Sequence, residues 1–161
     1  MSTKRTDQKK VIAAVDKGDL KSLTELINEG ININFRDRDE RTLLMHAVVD
    51  NKIEIIKALI KMGADINLQD SAGWSALHFT ASEYLPEIAK YLIENNAEVD
   101  LKDNYGNTPL STAVFWSRGR GDLIKILLSN GANRDLKNNY DVSPLDLAKN
   151  IANYNIIQFF I

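Results

Sequence analysis

Four short segments recur along this chain at nearly constant spacing, and no other feature restricts its fold so strongly. GININ begins at Gly30, GADIN at Gly63, NAEVD at Asn96 and GANRD at Gly131, steps of 33, 33 and 35 residues. A second marker keeps the same rhythm: TLLMHA from Thr42, SALHFT from Ser75, TPLSTA from Thr108 and SPLDLA from Ser143. Two independent markers in one register mean a chain built of stacked, similar units, each too small to bury its own apolar face.

Each unit reads as a pair of helices. A Thr or Ser opens the first, where its hydroxyl can accept a bond from an early, otherwise unpaired amide. Pro109 and Pro144 follow directly, at the first helical position, where a missing N–H costs nothing. Leu44, Leu77, Leu110 and Leu145 are expected to point into the core. Ala47, Thr80, Ala113 and Ala148 come three positions later, small enough for helices to approach closely. A second helix carries an apolar stripe, such as Ile53, Ile55, Ile56, Leu59 and Ile60. Gly30, Gly63 and Gly131 end it, with Asn96 in that role in one unit. The second marker projects back onto KKVIAA from Lys9, where lysines replace the polar cap and suit a solvated amino-terminal end. Glu40 stands where its neighbours have Gly73 and Gly106, which predicts a slightly different turn there. At the other end, Phe160 is expected to pack inward, with Phe159 or Ile161 more exposed.

Thr108-Pro109-Leu110, Ser75-Ala76-Leu77-His78, Gly63-Ala64-Asp65 and the period resemble ankyrin repeats, over roughly Asp7 to Ile161. The resemblance implies one all-α solenoid domain over 1–161, with repeats at about 5–37, 38–70, 71–103, 104–138 and 139–161, the first and last acting as caps. It also implies a non-catalytic module that meets a partner protein on a concave face made of finger tips and the exposed ends of inner helices. Carried over unit by unit, those positions are Arg38, Asp39, Arg41, Val49 and Asp50, then Ser71, Ala72, Trp74, Ser82 and Glu83. Asn104, Tyr105, Asn107, Phe115 and Trp116 follow, then Asn139, Tyr140 and Val142. Exposed large aromatics are the usual anchors of interfaces, so Trp74, Tyr105, Phe115, Trp116 and Tyr140 are the expected partner contacts. Arg38, Arg41, Asp39, Asp50, Glu83 and Asn107 would make the polar rim.

The fourth unit is longer by two residues, and both fall within Val114–Asp122, VFWSRGRGD. It lacks the GxxxxGK[ST] or GxGxxG pattern of a phosphate cradle. Arg120-Gly121-Asp122 matches an adhesion tripeptide, but three residues recur by chance. SRGRG reads as a solvated turn, with Arg118 and Arg120 as candidate contacts to an acidic partner.

Composition removes other classes. With no cysteine, disulfides, thiolate metal sites and cysteine nucleophiles are excluded. A net charge of −2 with mixed signs calls for neither nucleic acid nor an anionic membrane. His78 fits a backbone-bonding role in the finger region, His46 a repeat junction, and no third ligand is spaced to complete a metal site with them. Asp37, Asp70 and Asp103 precede turns and read as turn formers. No cofactor, metal or catalytic group is therefore expected. The amino terminus is polar and charged, which points to a cytoplasmic protein, monomeric when unbound. The Asn-, Ile- and Lys-rich composition favours an inhibitor or immunity protein that sequesters a bacterial toxin or effector; the alternatives are a regulatory adaptor or a structural homo-oligomer.

Overall fold

The computed structural model describes residues 2–151 and 154–160, with side chains from residue 7 onward. The helices run α1 (Ser2–Lys17), α2 (Leu20–Asn28), α3 (Leu43–Val49), α4 (Ile53–Lys61), α5 (Ala76–Ser82), α6 (Pro86–Glu94), α7 (Pro109–Trp116), α8 (Asp122–Ser129) and α9 (Pro144–Asn150). A 3-10 turn, Ile156–Phe160, follows. The odd-numbered helices stack in a row: α1 on α3, α3 on α5, α5 on α7, α7 on α9. The even-numbered helices back them, with α6 on α8 and the 3-10 turn against α8 and α9. The described residues form no β-sheet, only isolated bridges Arg36–Thr42 and Gln69–Ser75 at the bases of two fingers.

The caps explain where the inner helices start. The hydroxyls of Thr42, Thr108 and Ser143 accept from the amides of Met45, Ser111 and Asp146. The third residue of the helix returns a bond to the cap amide in three units: Met45 Sδ, His78 Nδ1 and Asp146 Oδ2 accept from Thr42, Ser75 and Ser143 N–H. Behind the caps, Leu44, Leu77 and Leu110 are completely buried, each stabilising the stack by about 1.5–3 kcal/mol. Leu145 departs from expectation and is only half-buried; among the described residues α9 packs on α7 and the 3-10 turn, with no further inner helix against it.

One further expectation is corrected. Glu40 takes φ 61°, the same left-handed conformation as Gly73 (81°) and Gly106 (79°), so its turn does not differ. Arg36 Nη1 donates to the Glu40 carboxylate at 2.6 Å and holds the residue there. At the carboxy-terminal end Phe160 is buried as expected. Phe159 is more exposed, as expected, though half-buried against Gly121 and under Lys125 Nζ, 5.2 Å from the ring centre. Ile161 lies outside the described residues.

Successive fingers are tied edge to edge. Ser71 N–H donates to Asp39 O, Asn104 N–H to Ala72 O, and Asn139 N–H to Tyr105 O, each at 3.0 Å. Side chains add a parallel row: Arg36 donates to Gln69 O, Gln69 to Lys102 O and Lys102 to Lys137 O. These rungs hold the finger tips in register and so position everything on the concave side.

Candidate functional site

A groove of about 600 Å³ opens between the fingers and the inner helices at the carboxy-terminal half of the array. Its walls are Trp74, Tyr105, Phe115, Trp116 and Tyr140, so the five aromatics expected at the surface converge on one cleft. Tyr105 and Tyr140 come from finger tips, held by the Asn139–Tyr105 rung. Phe115 and Trp116 form the last turn of α7 and meet edge to face at 5.2 Å. Tyr105 is 58% exposed, Tyr140 71%, Phe115 63% and Trp116 42%. Trp74 differs: it is half-buried, edge-on to Phe79 at 5.2 Å and stacked on His78 at 6.0 Å.

The floor is polar and ordered. Asp103 Oδ1 accepts from the amides of Tyr105 and Asn107, which shapes the finger turn. Asn138 does the same for Tyr140 and Val142, and its Nδ2 donates to Asn107 Oδ1 at 2.8 Å. His78 is fully buried beneath this region. Because its Nδ1 accepts from Ser75 N–H, the ring proton sits on Nε2, which donates to Asn107 O at 3.2 Å. Burial pushes its pKa below the ordinary 6.5, against the opposing pull of the Asn107 carbonyl and the Asp103 and Asp70 charges. His78 is thus a neutral strut between repeats.

A family model described as ankyrin repeats (3 copies) matches the chain at residues 11–103, 54–138 and 87–161. The chain belongs to the ankyrin-repeat family. Ankyrin repeats are generally protein–protein interaction modules. A comparison with curated proteins returns no match.

In this ankyrin array the remaining expected rim residues fall into three groups. Arg38, Asp39, Asp50 and Glu83 are exposed and lie outside the groove lining. Asn107 lines it. Arg41 is half-buried, its Nε 3.6 Å from Asp70 Oδ2 and its guanidinium 5.0 Å from the centre of the Phe79 ring.

The SRGRG segment of the array is a turn, as expected, with Arg118 and Arg120 exposed, but its two ends are packed into the array. Ser117 and Gly121 are buried. Arg120 stacks on Tyr84 at 3.5 Å and its Nε donates to Ser117 O. Tyr84 OH donates to Asp122 Oδ2 and accepts from Asp122 N–H. A side chain at Gly121 would run into Phe159. Arg120 and Asp122 stay exposed but are held by Tyr84, and Gly121 between them is buried. Arg118 is exposed at φ 49°.

Sequence reasoning missed the floor: Ser111, Thr112, Ser143 and Leu147 line the groove with Asp103 and Asn138. The signal was present. These residues sit at the cap, or three or four positions after it, on the helix face that looks toward the fingers. Among the described residues, no group of three or more His, Asp or Glu could hold a metal ion, and no helix is long and apolar enough to cross a membrane.

Proposed function

We propose that this ankyrin array is a non-catalytic binding module whose partner, a protein segment, enters the aromatic groove. The observation that carries the reading is the convergence of Tyr105, Phe115, Trp116 and Tyr140, all exposed, on one cleft already shaped by finger rungs and buried floor hydrogen bonds. Large aromatics presented on rigid elements bury area at little entropic cost, and a preformed cleft avoids the cost of ordering a loop on binding. The charged residues Arg38, Asp39, Asp50 and Glu83 lie outside the cleft and would set orientation and association rate more than affinity.

The test compares wild type with the triple variant Tyr105→Ala, Trp116→Ala, Tyr140→Ala in a pull-down from native-host lysate, after matching their thermal unfolding. A protein retained by wild type and lost by the variant is the expected result. Equal retention by both would move the binding surface elsewhere.

A further inference from the structure

The three Asp residues at the finger bases, Asp37, Asp70 and Asp103, are equivalent by the 33-residue period. In each, Oδ1 accepts two backbone amides of its own turn. Their second oxygens differ. Asp37 Oδ2 meets His46 Nε2 at 2.9 Å, and Asp70 Oδ2 faces the Arg41 guanidinium at 3.6 Å. Asp103 Oδ2 has only the weak amide contact of Asn107 at 3.4 Å, and no cation among the described residues is paired with it.

The period shows why. Arg41 reaches from its own finger to Asp70 in the next, lying over Phe79. One period on, Trp74 stands in the place of Arg41 and Thr112 in the place of Phe79. Trp74 turns back onto its own unit, against Phe79 and His78, instead of reaching forward. Thr112 is smaller than a phenyl ring. What the preceding interval fills with a guanidinium over an aromatic face is here left open, and that opening is part of the groove. Asp103, itself 8% exposed, is the sole charged side chain among the described residues lining it, in a groove shared with five aromatic residues.

The geometry points to a partner arginine as the groove's occupant: a segment whose guanidinium pairs with Asp103 Oδ2 and lies against the Tyr105, Trp116 and Tyr140 rings, flanked by apolar residues. This rests on the proposed binding role of the groove and specifies its chemistry. A guanidinium suits the site better than an ammonium, because it can stack on an aromatic face and pair with a carboxylate at once. Arg41 between Asp70 and Phe79 is the chain's own example of that arrangement.

The experiment is a selection of random displayed peptides on the intact chain, keeping clones lost on Trp116→Ala. The retained clones are expected to share an arginine next to apolar residues. A synthetic peptide from that set should bind about tenfold or more weakly when its arginine is replaced by citrulline, which keeps shape and removes charge. Asp103→Asn should cost a similar factor, and the two changes together should cost little more than either alone. Asn is tolerated structurally at this position, since Asn138 makes the same two turn bonds one unit later. Groove-dependent clones without a basic residue, or losses that simply multiply, would overturn the arginine assignment while leaving the binding role intact. A selection yielding no clone that depends on Trp116 would overturn both.

Discussion

The guanidinium of Arg120 lies 3.5 Å from the centre of the Tyr84 ring, joining the lengthened link of the fourth unit to the corresponding link of the third. The Tyr84 hydroxyl is bonded in turn to Asp122, at the start of α8. Arg120→Ala should therefore destabilise the array by about 1 kcal/mol, the usual worth of a partly exposed cation–π contact. In a chain of this size that lowers the unfolding temperature by about 2–4 °C. Arg120→Lys should recover only part of the loss. Differential scanning fluorimetry checks both; an unchanged midpoint for Arg120→Ala would show that the stack contributes nothing.

Gly121→Ala would place a methyl group against the Phe159 ring. The expected effect is local, with the 3-10 turn at Ile156–Phe160 losing its seat before the rest of the array weakens. Hydrogen exchange read by mass spectrometry should show faster exchange there and unchanged protection in α3 and α5.

The two tryptophans should separate cleanly. Trp116 is exposed on the last turn of α7, and Trp116→Ala should change folding stability by less than about 0.5–1 kcal/mol. Trp74 packs against both Phe79 and His78, and Trp74→Ala should cost about 2 kcal/mol or more. Urea denaturation of the two variants decides it; equal losses would mean Trp116 is as structural as Trp74.

His78 gives the array a pH response. Its folded pKa lies below the ordinary 6.5, chiefly through burial, so the unfolded chain binds its proton more readily. The stability contributed by neutral His78 is present above about pH 6.5 and is lost as pH falls toward the folded value. Urea midpoints should drop between pH 7.5 and pH 5.5, and His78→Gln should flatten that drop.

The units and their caps were legible in the sequence because they depend on local chemistry repeated at fixed spacing: Thr108 before Pro109, or Gly63 at φ 90° after α4. The aromatic row was legible for the same reason, since Tyr105 and Tyr140 hold equivalent finger positions. What could not be read were relations that break the period. Arg120 on Tyr84 and Phe159 on Gly121 both involve the one lengthened link, which has no counterpart to align with. Half-burial of Leu145 depends on which helices pack against α9, a property of the stack and not of its own segment. The opening of the groove depends on Trp74 turning back onto its own unit, a rotamer choice that residue identity alone does not dictate.

The link between inner and outer helix is three residues long at 50–52 and 83–85 but five at 117–121, and the extra length is taken up there. On the opposite side the rungs from Asp39 to Ser71, Ala72 to Asn104 and Tyr105 to Asn139 stay at 3.0 Å throughout. The chain thus lengthens at the back while each finger at the front keeps its backbone bond to the next. Two residues can be added behind the fourth unit without unfastening its finger from the one that follows.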